Sequence, residues 1–230
     1  MHFLKDIFYL FYPNLCIHCS IVLLQNEEYL CITCSNNLPI ITSNEYINNE
    51  LLSVFYGQVL IENVRPFLYY KKGNITQKII YELKYKNQHE IGLFLANWFG
   101  EKLKKSGVFK TVDYIIPVPL HQSKLKKRGY NQLTKFGERL SVILNIEYKS
   151  DVLIKLKSVN TQTKKQRFER FLNIKNSFKL IDIELFESKH VLLIDDVITT
   201  GATLVSCCEE LSKTKNITIS IATMSYAKKE

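Results

Sequence analysis

The sequence lacks a long apolar run. Hydrophobic residues make up 46% of the 230 residues, but no window approaches the run of about 20 that a membrane-spanning helix needs. The N-terminus also lacks a small-residue cleavage site and contains Asp6, so we do not expect secretion. Apolar residues at helical spacing between Phe3 and Phe11 instead predict a short amphipathic helix that stops at Pro13.

Cysteine is too scarce for a disulfide scaffold, with six residues in the whole chain. The expected compartment is therefore the cytoplasm. Four of the six form two Cys-x-x-Cys knuckles in nearly identical hexapeptides, Leu-Cys-Ile-His-Cys-Ser at 15–20 and Leu-Cys-Ile-Thr-Cys-Ser at 30–35. A redox-active pair is one interpretation, but two matched knuckles favour a structural zinc ion with four sulfur ligands. The predicted ligands are Cys16, Cys19, Cys31 and Cys34.

Three residues near these motifs or of the same type are not expected to bind the metal. His18 lies between the ligands of the first knuckle, and we expect it at the surface. Cys207 and Cys208 are adjacent on a predicted helix, where they cannot clamp one ion together. We expect both to be core thiols.

Arginine is also scarce, and the positive charge is unevenly distributed. The formal net charge is +9, with 31 Lys and Arg against 22 Asp and Glu. Residues 121–170 carry 13 basic and 4 acidic residues, so the rest of the chain is balanced. A Lys-rich coding bias would raise lysine everywhere and does not explain this clustering. The segment therefore favours an anion-binding surface over a merely solvated one.

A buried strand followed by acids and a hydroxyl-rich loop is the strongest motif. Residues 191–194 are apolar and predict a parallel strand. Asp195 and Asp196 follow at its carboxyl end, where α/β proteins bind ligands. The loop then leads into a helix that begins near Thr203, and its amides and hydroxyls suit a phosphomonoester. A Walker loop would require a Gly-Lys-Ser/Thr ending, which is missing. The predicted phosphate-binding residues are Thr199, Thr200, Gly201, Ala202 and Thr203.

The segment Leu-Ile-Asp-Asp-Val-Ile-Thr-Thr-Gly-Ala-Thr at 193–203 resembles the phosphoribosyl diphosphate (PRPP) signature of type I phosphoribosyltransferases. Three further segments resemble the ComF family of competence-associated proteins: Leu-Lys-Tyr at 83–85, Ile-Pro-Val-Pro-Leu-His at 116–121 with Arg-Gly-Tyr-Asn-Gln at 128–132, and the polar stretch at 161–173. With the cysteine knuckles, the resemblance spans nearly the whole chain. It implies a type I phosphoribosyltransferase-like parallel sheet flanked by helices, with a small N-terminal zinc module.

The resemblance leaves two functional hypotheses open. In the first, the protein serves DNA uptake and natural transformation and binds both single-stranded DNA and PRPP with Mg²⁺. Aromatic residues such as Tyr85, Tyr130 and Phe168 would stack bases. The nucleic-acid candidates are Lys126, Lys127, Lys164, Lys165, Arg167 and Arg170. A DNA-uptake helicase and recombination-loading proteins are further expected partners.

In the second hypothesis, the protein is an active phosphoribosyltransferase of nucleobase or nucleotide salvage. Lys124 and Arg128, with Arg167 as a further candidate, would neutralise the departing pyrophosphate, while Asp195 and Asp196 hold the ribose and Mg²⁺. The sequence contains no recognisable constellation for a particular acceptor base.

The predicted organisation has two parts. Residues 1–45 form the zinc module, and residues 51–230 form the phosphoribosyltransferase-like domain. Within the latter, residues 51–106 are an approach or lid segment, and residues 112–226 carry the core sheet. The predicted strands of this sheet are 114–118, 152–154, 191–194 and 217–223; a further strand-like stretch is 64–70, and helices are predicted at 76–85, 91–104 and 131–144.

Overall fold

A five-stranded parallel sheet forms the centre of the protein. The computed structural model describes residues 12–47, 50–156 and 177–228, so the predicted helix at the N-terminus lies outside them. The strands are β1 (Val64–Tyr69), β2 (Tyr114–Pro117), β3 (Glu147–Tyr148), β4 (Leu153–Lys155), β5 (Phe178–Leu180), β6 (His190–Ile198) and β7 (Thr218–Tyr226). The main sheet has the order β1-β7-β6-β2-β3, and all its neighbours are parallel.

The described helices lie before and between these strands. They are α1 (Ile32–Asn36), α2 (Ser43–Ile47), α3 (Glu50–Ser53), α4 (Ile75–Tyr85), α5 (Glu90–Ser106), α6 (Gln122–Arg128), α7 (Thr134–Leu144) and α8 (Ala202–Leu211), with a 3₁₀ turn at Ile183–Phe186. The Asn74 side chain accepts the Gln77 backbone N–H at the start of α4. Gly107, at φ 64°, ends α5 in the left-handed conformation. Among the described residues, no helix is long and apolar enough to cross a membrane.

The core lies on both faces of β6. Its first apolar residues, Val191, Leu192, Leu193 and Ile194, are 0% exposed, as their uninterrupted run predicts. On one face, α7 approaches the sheet so closely that a Cβ on Gly137 would lie 2.8 Å from the Ile194 side chain. This close contact fixes α7, and the loop that precedes it, against the centre of the sheet.

The prediction that residues 152–154 belong to the parallel sheet is wrong. The strand at this place, β4, pairs antiparallel with β5 in a separate two-stranded sheet. Leu153 is buried whereas Ile154 is 36% exposed, which is the alternation of a half-buried antiparallel pair. The short strand β3 instead forms the edge of the main sheet.

The other edge strand is β1, which the strand-like stretch at 64–70 anticipated without assigning it to the sheet. Pro66 lacks an N–H, and edge strands tolerate proline. The segment after the second cysteine knuckle covers the open side of β1. Here the Ile41 N–H donates to the Phe67 carbonyl at 2.9 Å and the Tyr69 N–H donates to the Pro39 carbonyl at 2.8 Å.

Candidate functional site

The predicted phosphate loop joins β6 to α8 at the carboxyl edge of the sheet. Gly201 is the N-terminal cap of α8 and has φ 75°, a backbone conformation that glycine adopts readily. Around it Thr199, Thr200 and Thr203 are exposed. The Ala202 N–H donates to the Thr200 hydroxyl at 3.4 Å. Exposed hydroxyls beside a helix N-terminus suit a phosphate, and their contact with one stays a prediction.

Hydrophobic residues support the other side of this loop. A Cβ on Gly201 would lie 2.5 Å from Val54 Cγ1 and 3.7 Å from the ring of Phe55. Both residues follow α3 directly, and Phe55 is buried. The turn at Gly201 therefore depends on glycine both for its dihedral angle and for its contact with this segment.

The two acids lie in different environments because successive side chains of a strand point to opposite faces. Asp196 is nearly buried and accepts two hydrogen bonds. Lys84 Nζ donates to Oδ1 at 2.6 Å, and Gln132 Nε2 donates to Oδ2 at 2.6 Å. Both oxygens of Asp196 are thus held by side chains from outside β6.

Asp195 is less constrained. It is half-buried, and its Oδ1 accepts the backbone N–H of Asp196 at 2.8 Å. Burial and the negative charge of Asp196 raise the pKa of the Asp195 carboxyl, while the charges of Lys84 and Lys155 oppose this shift. Within the described residues, no side chain is hydrogen-bonded to its second oxygen. Asp195 therefore fits Mg²⁺ or a ribose hydroxyl better than Asp196 does.

Lys84 and Gln132 were missed as candidate site residues, although both lie in segments that carry the family resemblance. Gln132 links Asp196 to the basic helix, because its amide oxygen also accepts a hydrogen bond from Arg128 Nη1. The Tyr130 hydroxyl donates to the Leu83 carbonyl, next to Lys84. Gln132 therefore links Arg128 to Asp196, whereas the basic neighbours of Arg128 on α6 are exposed.

The remaining described basic candidates form an exposed surface beside this site. Helix α6 buries none of its residues, and Lys124, Lys126 and Lys127 are exposed on it. The other four nucleic-acid candidates, Lys164, Lys165, Arg167 and Arg170, lie outside the described residues, as does Phe168.

An aromatic pair lies next to α6. Tyr85 is 66% exposed and Tyr81 is 47% exposed, and their ring centroids are 5.3 Å apart on α4. The Arg128 guanidinium lies 5.7 Å from the Tyr85 ring centroid. Tyr130, the other described stacking candidate, is half-buried against the His89 ring. Tyr85 is therefore better placed than Tyr130 to stack with a ligand.

The cysteine knuckles form a second site. The four sulfur atoms of Cys16, Cys19, Cys31 and Cys34 lie within 4.8 Å of one another, and this donor set suits zinc. Burial raises the pKa of Cys16, but backbone N–H groups of the knuckles outweigh it and lower the value to about 6. Burial and the neighbouring thiols raise the pKa of Cys34. Four thiolates at this separation would repel one another unless a cation lay between them. The arrangement can therefore hold a structural zinc ion. His18 is exposed and Cys207 and Cys208 are buried, as predicted.

The topology and a family comparison define the class of fold. The model of the phosphoribosyl transferase domain matches residues 128–230. The protein therefore has a type I phosphoribosyltransferase fold, as the sequence predicts. Solved structures with similarity include an adenine phosphoribosyltransferase from Saccharomyces cerevisiae, with 15% identity, a TM-score of 0.40 and coverage of 62% of this chain and 72% of that one.

Comparison with individual protein sequences narrows the fold class to one group of relatives. The chain is 29% identical over 214 residues to Competence protein F of Haemophilus influenzae, covering 88% of this chain and 91% of that protein. It is 28% identical over 147 residues to the DNA utilization protein YhgH of Escherichia coli O157:H7, covering 62% of this chain and 63% of that protein. The chain is homologous to these proteins, which confirms the predicted resemblance to the ComF family.

Proposed function

We propose that the protein acts in DNA uptake, binding PRPP with Mg²⁺ at the β6 edge and single-stranded DNA on the adjacent basic surface. The arrangement of Asp195 beside the loop at Gly201 carries the first part. A carboxylate next to exposed hydroxyls and a helix N-terminus matches a sugar whose diol lies near its phosphate. When bound, Mg²⁺ would neutralise the diphosphate, and Asp195 is the residue that would hold it.

Calorimetric titration with PRPP and Mg²⁺ tests this pocket. We expect saturable binding that Asp195→Asn weakens strongly. Asp182→Asn, which removes a carboxylate from the turn before the 3₁₀ helix, is the matched control and leaves binding unchanged. The absence of heat at millimolar PRPP and Mg²⁺ would exclude the pocket as a PRPP site.

The DNA part is supported by the basic-aromatic surface, which we define as α6 with Tyr81 and Tyr85. Lysines supply sequence-independent phosphate contacts, and exposed rings stack with bases of any identity. The relatives' names, Competence protein F and DNA utilization protein, agree with such a role. The contact between bases and rings distinguishes single strands from duplex DNA, whose bases are already stacked.

Fluorescence anisotropy with a labelled single strand tests the surface. The double substitution Lys126→Glu/Lys127→Glu is expected to weaken binding and to reduce the slope of log K against log salt by about 0.7 per lost phosphate contact. The matched control, Lys104→Glu/Lys105→Glu, makes the same charge change at the exposed end of α5. Equal losses in both variants would mean that only the net charge matters.

Phosphoribosyl transfer is a second candidate function, favoured by the two acids beside the loop. In this reaction the bond between C1 of the ribose and the pyrophosphate oxygen breaks, a bond to a base nitrogen forms, and the base loses its proton. Lys124 and Arg128 would stabilise the departing pyrophosphate. Release of pyrophosphate in the presence of a nucleobase, lost in Asp195→Asn, would establish this activity.

A further inference from the structure

Side-chain contacts and one helix join the acid site to the basic-aromatic surface. We call this set the Asp196 network, consisting of Asp196, Lys84, Tyr85, Arg128 and Gln132. One arm runs from Asp196 to Lys84, whose neighbour in α4 is Tyr85. The other runs from Asp196 through Gln132 to Arg128, which lies over the Tyr85 ring. Both arms therefore start at the same carboxylate and reach the same residue, one along the backbone of α4 and the other through side-chain contacts.

Gln132 is the central connection in this network. It is 6% exposed, and both ends of its amide are engaged, since Nε2 donates to Asp196 and Oε1 accepts from Arg128. A buried amide oxygen that loses its donor is unsatisfied. Displacement of Arg128 is therefore unfavourable as long as Asp196 holds Gln132 in its present orientation.

Arg128 also restricts access to Tyr85. Its guanidinium lies over the ring, on a face that a stacking base would use. A single strand bound here would require Arg128 to leave the ring and turn towards a phosphate. That movement breaks the hydrogen bond to Gln132.

We propose that PRPP and single-stranded DNA bind this protein antagonistically and that Gln132 links the two sites. The inference rests on the proposed function, because it requires both ligands to bind. A ligand held by Asp195 restrains the adjacent Asp196 in β6 and, through it, Gln132, which keeps Arg128 over Tyr85. By thermodynamic reciprocity, DNA must weaken PRPP binding by the same factor.

The test measures the affinity of the full-length, zinc-loaded protein for a labelled single strand with and without saturating PRPP and Mg²⁺. We expect PRPP to weaken DNA binding by about fivefold or more, the usual range of coupling between linked sites. In Gln132→Leu we expect less than about a twofold effect, because the connection is lost. Arg128→Lys keeps the charge but loses the planar fork, and we expect the same loss of coupling. It provides a second test if Gln132→Leu does not fold.

Asn97→Leu is the matched control. It removes the hydrogen bond from Arg139 Nε to Asn97 Oδ1, an arginine-amide contact of 2.6 Å between α7 and α5. This variant retains the coupling of the unmodified protein. If both ligands bind the unmodified protein independently, or if Gln132→Leu and Arg128→Lys keep its full coupling, the inference is wrong although the proposed function stands. If either ligand does not bind at all, the proposed function fails and the inference fails with it.

Discussion

Removing the Lys84 ammonium is expected to destabilise the protein strongly. Its Nζ lies 2.6 Å from Asp196 Oδ1, and the two side chains are 21% and 9% exposed. At this distance the attraction is about 6 kcal/mol for an effective dielectric constant of about 20. Loss of one partner from a buried ion pair costs about 3–5 kcal/mol in net stability. Because Lys84 is partly exposed, we expect the lower end of this range, about 3 kcal/mol, for Lys84→Met.

Urea unfolding followed by circular dichroism measures this effect. Lys84→Met leaves the charge of Asp196 with Gln132 as its remaining side-chain donor among the described residues. Adding Asp196→Asn removes the uncompensated charge and should recover part of the loss, giving a coupling energy of about 1–3 kcal/mol in a double-mutant cycle. Lys102→Met, at an exposed position of α5, is expected to change stability by less than about 0.5 kcal/mol. A loss below about 1 kcal/mol for Lys84→Met would refute the assignment of a stabilising buried pair.

Three further predictions concern the loop, the acids and the cysteines. Gly201→Ala is expected to lower the melting temperature, because a left-handed alanine costs about 1–2 kcal/mol and its Cβ would lie 2.5 Å from Val54 Cγ1. Adding Val54→Ala should recover only the part of the loss that comes from this steric contact. An unchanged melting temperature in Gly201→Ala would contradict both the backbone and the steric argument. Burial and the charge of Asp196 raise the pKa of Asp195. PRPP and Mg²⁺ binding should therefore weaken as the pH falls through this raised pKa, at a higher pH than for an ordinary carboxyl. Calorimetry across pH measures this dependence, and the same pH dependence in Asp195→Asn would mean that another group is responsible. Metal analysis is expected to find one zinc per chain, lost with a drop in thermal stability in Cys31→Ser and retained in Cys207→Ser, whereas full zinc content in Cys31→Ser would exclude the four-sulfur site.

Local patterns predicted the parts of the fold that depend on neighbouring residues. The apolar run at 191–194 identified β6, and the acids and threonines after it placed the loop at the sheet edge. The helix at 76–85 was predicted within one residue of α4, Ile75–Tyr85. An uninterrupted apolar run indicates a strand buried on both faces, and a period of 3.6 residues indicates a helix, so both signals depend only on neighbouring residues.

Long-range pairing was not predictable in the same way. Lys84 and Asp196 are separated by 112 positions, and no periodicity relates residues at that distance. The apolar residues at 152–154 were assigned to the main sheet because their short run does not reveal which strand they pair with. Tyr81 could have been recognised, since it lies four residues before Tyr85 and shares its helix face.

The segment at residues 39–41, which covers the edge strand β1, protects the protein against aggregation. An uncovered edge strand offers unpaired N–H and carbonyl groups to a strand of another molecule and so promotes aggregation. Here the backbone at Pro39 and Ile41 occupies these groups, only a few residues after the second cysteine knuckle. Loss of a metal bound at the four cysteines would therefore release this cover and leave β1 as an edge that can pair with a strand of another molecule.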